Sequence, residues 1–315
     1  MFAAPGRRDV LRTLLGGAAG LALGASAFRR AAFAQHRPVS ISTRRLHDNL
    51  VLLSGAGGNV VLGVGPDGAV MVNGGLREHS ADLLQAVMGQ TGSTRVRYLF
   101  NTDWHVEHTG SNESLGREGA TIVAHENTRQ YLGAEMFVEW QHRTYRSLPK
   151  PALPTRTFRT SDTMTLGRER IEYGHLGQAH TDGDIYVFFR DANVLVAGDV
   201  LTVGTYPLAD YTSGGWLGGL VTATKLLFDL ANDQTRVVPG TGPVQTRADL
   251  KVQHDMLVTL RDRVGKMMRQ GMGAEDMLAA GVTKEFDERC GSPEVFLSTA
   301  YRGMWLHVRE LGGIV

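Results

Sequence analysis

Four side chains able to bind a metal fall within six residues: Asp103, His105, Glu107 and His108, in the run NTDWHVEHTGSN at 101–112. The run directly follows the short apolar stretch 96–100, which reads as a strand. In extended backbone, residues i and i+2 project to the same side, so Asp103 and His105 can converge on one point. Glu107 and His108 then fall in the turn where a helix begins. This cluster constrains the fold more than any other feature, because it needs a strand that ends at a site.

Two later segments can close such a site. GQAHTDGD at 177–184 sets His180 in a Gly-rich turn, ahead of the unbroken apolar run 185–189. VLVAGD sets Asp199 just past the apolar run 194–197. Unbroken apolar runs are what strands buried on both faces require, and loops at strand ends are where sites are commonly built.

The remaining pattern is strand-rich first and helical later. Residues 59–64 and 69–73 flank Pro66-Asp67-Gly68 and read as a hairpin. A further strand is expected at 121–124, and a second hairpin across 164–176. Leu83, Leu84, Val87 and Met88 share one face of a helix lying before 96–100. A helix is expected at 216–230 and a strand at 236–238. Beyond Thr246, Leu250, Leu257, Leu260, Val264 and Met267 keep helical spacing. Two sheets covered by helices follow from this order. The segment 133–154 crowds Met136, Phe137, Trp140, Tyr145 and three prolines between regular elements, and reads either as a lid or substrate wall or as an ordinary packed helix.

The first 34 residues read as an export signal. Arg7-Arg8 precede a Gly- and Ala-rich run from Leu14 to Phe28, and Ala32-Phe33-Ala34 has the small-x-small cleavage form. RRDVLR resembles a twin-arginine (Tat) signal, so the protein is expected to be periplasmic and to begin near Gln35. The run is shorter than the roughly 20 residues a spanning helix needs, so no stable membrane anchor is expected once it is removed. Its removal leaves 28 Lys and Arg against 31 Asp and Glu, a net charge of −3 in place of +1. A slightly acidic body with dispersed bases excludes a nucleic-acid partner. One cysteine, Cys290, excludes an intrachain disulfide; far from the motifs in sequence, it reads as inert.

Together the motifs resemble the metallo-beta-lactamase superfamily over about 45–245. They run in order: a Gly-rich hairpin ending in Asn73-Gly74-Gly75, then NTDWHVEHTGSN, GQAHTDGD, VAGD and VVPGTGPV. The resemblance implies an α/β (α+β) fold, a four-layer αββα sandwich spanning 35–248, with a C-terminal helical extension at 249–315. It implies one divalent ion on Asp103, His105 and His180, with Asp199 bridging, and a second on Glu107, His108 and Asp199. Zinc is the first expectation, with iron or manganese as alternatives. The usual motif is His-x-His-x-Asp-His. Here Asp103 replaces its first His, Glu107 its Asp, and Thr241 stands where the last His ligand is expected. The extra carboxylate charge should weaken activation of water, whose pKa a bound cation otherwise lowers from about 15.7 toward about 7.

The function this implies is a periplasmic metal-dependent hydrolase of a small-molecule ester, thioester, lactone or amide, with Glu107 and Asp199 as the catalytic carboxylates. Two alternatives stand beside it. Two imidazoles and one carboxylate also make a mononuclear non-haem iron oxygenase site, and a non-catalytic metal-binding or relay protein could keep the fold. Trp104 is expected to pack behind the motif. Asp182 and Asp184 either orient the His180 ring or fix its turn. His79, His125, His142 and His175 are expected to be surface residues or neighbours of the site.

Overall fold

Alternation of side chains along the strands sorts the apolar residues into separate layers. The structure is a computed structural model that describes residues 38–66, 68–92 and 95–309. The export signal expected at 1–34 lies outside them. From Val39 onward the chain forms one compact unit.

The first sheet has seven strands: β1 Ser42–His47, β2 Leu50–Ser54, β3 Val60–Gly65, β4 Gly68–Val72, β5 Val96–Phe100, β6 Thr121–His125 and β9 Arg156–Phe158. The β1 to β4 stretch is an antiparallel meander; β5, β6 and β9 then add in parallel. Between β6 and β9 a separate small hairpin forms, β7 Met136–Val138 with β8 Arg143–Tyr145. The second sheet runs β10 Ser161–Leu166, β11 Glu169–His175, β12 Ile185–Phe189, β13 Val194–Gly198 and β14 Arg236–Pro239, with β14 parallel to β13.

Between the sheets lies one core. Val61, Val70, Val72, Phe100 and Val123 from the first sheet meet Tyr173, Ile185, Val187, Phe189 and Val196 from the second. The outward residues of the same strands face helices. Val60, Leu62, Ala69 and Met71 pack with Leu83 and Val87 of α1 Ser80–Thr91. Tyr186 and Phe188 pack under α5 Leu217–Leu230 and α6 Arg247–Arg269. Three apolar interfaces between four layers give the expected αββα sandwich. Truncating a fully buried Phe189 to Ala in such a core costs about 3–5 kcal/mol.

Three short helices surround the site: α2 Val106–Thr109, α3 Asn112–Arg117 and α4 Glu126–Gly133. The tail adds α7 Ala274–Ala279, α8 Lys284–Cys290 and α9 Glu294–Leu306 after α6. A capping box starts α6, where Thr246 and Asp249 exchange hydrogen bonds. The tail does not stand apart from the body. Leu257, Leu260, Phe296 and Met304 share one core with Phe188 and Leu195 of the second sheet.

Two expectations are corrected. Met88 does not share the buried face of α1; it is exposed, while Leu83 and Val87 are buried. Residues 133–154 form no packed helix: Met136–Val138 pairs with Arg143–Tyr145 in the small hairpin, which packs with Trp104, and the three prolines that follow it exclude a continuous helix.

Candidate metal centre

The donor cluster lies where the loops after β5, β11 and β13 meet. Asp103 and His105 follow β5, and His108 is on the first turn of helix α2. His180 sits in the loop before β12, and Asp199 directly follows β13. All but Glu107 and Asp199 are buried; those two are half-buried and face a cavity.

The donor atoms fall into two groups sharing Asp199. One is Asp103, His105, His180 and Asp199; the other is Glu107, His108 and Asp199; within each, the atoms lie within 4.8 Å of one another. His105 Nδ1 is 3.0 Å from His180 Nε2 and 3.2 Å from Asp103 Oδ1. His108 Nε2 is 3.1 Å from Asp199 Oδ2 and 3.4 Å from Asp103 Oδ2. His180 Nε2 is 3.7 Å from Asp199 Oδ2.

The outer ring nitrogens decide what the inner ones can do. His180 Nδ1 donates to the Leu208 carbonyl at 2.9 Å. A carbonyl only accepts, so that nitrogen carries the proton and Nε2 of the neutral ring is a lone pair. His105 Nε2 faces Asp210 Oδ2 at 3.3 Å, an ionic contact rather than an aligned hydrogen bond, which favours the proton there and the lone pair on Nδ1. Two lone pairs then face each other at 3.0 Å. A proton or a cation resolves that repulsion. Asp103 Oδ2 adds a buried carboxylate oxygen with no hydrogen-bond partner. This donor set fits a divalent cation.

The electrostatics agree. Burial pulls the His108 imidazole down, but the charges of Asp103 and Asp199 outweigh it and push it up to about 10. Burial likewise opposes ionisation of His105, which its contacts with Asp103 and Asp210 nevertheless raise well above the ordinary histidine value. Burial raises Asp103, but the His108 charge and the His105 hydrogen bond hold it well below the usual carboxylate range. Asp210, opposed by burial, is lowered to about 2 by its contact with His105. Anionic groups thus hold protons on buried imidazoles, and those protons are what a cation would displace.

Asp210 is the residue that sequence reasoning missed. Its Oδ1 accepts from Trp140 Nε1 and the Thr212 amide, and its Oδ2 accepts from Ser213 Oγ. It lies in a polar loop with no periodicity; its spacing to His105 carries no signal. Asp184 does not orient the His180 ring. It accepts from the backbone N–H groups of His180 and Thr181 and from Thr181 Oγ1, so it fixes the turn. Burial pushes its carboxyl up to about 7. Trp104 packs behind His105 with its ring edge-on to Tyr145, as expected.

The outlying histidines keep away from the cluster. His125 and His175 stack on each other with ring centroids 3.9 Å apart, and His125 is buried rather than on the surface. Cys290 is close to the site in space despite its distance in sequence. It ends α8, is buried, and lines the cavity that His105, Glu107, His180 and Asp199 also line. Thr241 lines the same cavity from the loop after β14. Gly240 before it has no room for a side chain, since a Cβ there would lie 1.7 Å from Asp199 Oδ1.

Comparison with known proteins identifies the family and the fold. A family model described as the metallo-beta-lactamase superfamily matches residues 53–242. Among solved structures, a metallo-beta-lactamase from Pontibacter korlensis is 21% identical, with a TM-score of 0.53 over 70% of this chain and 93% of that one. The DIM-1 metallo-beta-lactamase is 16% identical, with a TM-score of 0.56 over 70% of this chain and 99% of that one. At such identities the likeness is one of fold.

Proposed function

The chain belongs to the metallo-beta-lactamase superfamily, and from that premise we propose that it is a metal-dependent hydrolase acting on a small-molecule ester, thioester, lactone or amide. The observation that carries this reading is the pair of donor groups sharing Asp199 and opening on one cavity. Asp103, His105, His180 and Asp199 would hold one ion; Glu107, His108 and Asp199 would hold a second. A bound divalent cation supplies Lewis acidity and makes water a usable nucleophile near neutral pH.

The chain's own residues do the positioning. The Leu208 carbonyl and Asp210 aim the His180 and His105 rings, and Asp184 fixes the loop that carries His180. Glu107 and Asp199, both on the cavity wall, are placed to accept a proton from a bound water or orient it. With Thr241 in place of a His, the second group has three protein ligands, so its ion is held more weakly.

The location belongs to the same proposal: a twin-arginine signal at 1–34 carries the folded protein to the periplasm. The group Asp103, His105 and His180 favours one second reading, since two imidazoles with one carboxylate suit non-haem iron. Metal analysis and assay together test both. Protein purified with its metal should hydrolyse neutral p-nitrophenyl esters or lactones, and chelation should lower the rate by at least about a hundredfold, the scale of a lost catalytic group. An unchanged rate after chelation would refute the hydrolase reading. One iron per chain with oxygen uptake and no hydrolysis would establish the second.

A further inference from the structure

Residues 199–210 run from the end of β13 to the turn before α5 and form neither helix nor strand. Three of them nevertheless shape the donor cluster. Asp199 belongs to both donor groups. The Leu208 carbonyl accepts from His180 Nδ1, and Asp210 faces His105. Backbone outside a sheet or helix needs other partners to hold it.

The tail holds this segment at two points. Gln253 is a buried polar side chain in the apolar stripe of α6, between Leu250 and Leu257. Its amide grips the chain just past Asp199. Nε2 donates to the Val200 carbonyl at 2.7 Å, and Oε1 accepts from the Thr202 N–H at 3.0 Å. Packing alone would be met by Leu or Met at 253, with no buried amide to satisfy. Further on, the Tyr206 hydroxyl donates to Asp287 of α8 at 2.7 Å, and its ring stacks on Phe296 of α9 with centroids 4.9 Å apart. Val295 and Phe296, at the start of α9, also line the cavity onto which the donor groups open.

We propose that the C-terminal helices position the metal centre, with Gln253 as the residue that fixes Asp199 through its hydrogen bonds to Val200 and Thr202. Because Asp199 serves both donor groups, a shift of its backbone is felt by both. The proposal rests on the metal-binding reading above and not on which bond is cleaved.

The test uses the full chain, stripped of metal. It is titrated with zinc against a competing chelator, and with cobalt(II), whose visible absorption follows ligand geometry. Gln253→Met fills similar space and removes both hydrogen bonds. It should weaken zinc binding by about tenfold, the scale for losing a partner outside the ligands, and alter the cobalt absorption. Tyr206→Phe keeps the stack on Phe296 and loses one hydrogen bond. It should alter the absorption too, with about a threefold loss of affinity, and it decides the matter if Gln253→Met does not fold. Val264→Ala loosens the same core about three turns further along α6, and should leave affinity and absorption at their wild-type values. An unchanged absorption in Gln253→Met, or in Tyr206→Phe where the former does not fold, would overturn the proposal and leave the metal centre standing. An equal change in Val264→Ala would do the same. No ion bound by wild type would overturn both readings.

Discussion

At the scale of residues, the inner donor atoms of His180 and His105 are aimed by outer partners, the Leu208 carbonyl and Asp210. Asp210 aims His105, and its own two oxygens are fixed by Trp140, Thr212 and Ser213. Asp210→Asn removes the charge and keeps the shape. It is expected to weaken metal affinity by about 10- to 100-fold, the usual cost of losing such a partner, with little change in thermal stability. Chelator competition measures this; an affinity equal to wild type would mean that Asp210 only fixes its loop. The six donor residues named from sequence come together because four share one turn, Asp199 follows a strand of the other sheet and His180 lies in a loop of that sheet. Asp210 escaped notice since a loop carboxylate looks the same in sequence whether it faces solvent or an imidazole. Cys290 misled in the opposite way: its distance along the chain hid its place in the cavity wall.

At the scale of elements, strands with long apolar runs were legible and polar ones were not. The runs at 185–189 and 194–197 lie between two layers, so neither face could tolerate a charge. By contrast β1 is an edge strand with one buried residue, Leu46, and its polar sequence carried no period. The loop after β14 was legible through its glycines and proline. Gly240 lets the backbone approach Asp199, and this places position 241 on the cavity wall. Thr241→His should therefore add an imidazole to the group of Glu107, His108 and Asp199 and raise zinc stoichiometry toward two, since four ligands hold zinc better than three. Glu107 reaches about 1.5 Å further than the usual Asp, which works against the gain. Zinc titration of the two proteins checks it, and identical stoichiometry and affinity would contradict it.

At the scale of the whole molecule, the tail and the body share one core. Leu257, Leu260, Val264, Phe296 and Met304 pack with Phe188, Leu195 and Val237. A chain ending at residue 248 would expose that face of the second sheet and lose the Val295–Phe296 wall. It should accumulate as insoluble protein, as exposed apolar surface of this extent leads to aggregation. A soluble, cooperatively melting truncation would show the tail to be dispensable. The central claim is that Asp103, His105, Glu107, His108, His180 and Asp199 form a metal centre organised on Asp199. The most direct measurement is zinc titration of chelator-stripped protein by calorimetry, with Asp199→Ala and His175→Ala in parallel. The account predicts at least one tightly bound ion per chain in wild type and in His175→Ala, and a loss of at least about a hundredfold in affinity in Asp199→Ala. Equal binding by all three proteins, or none by wild type, would contradict it.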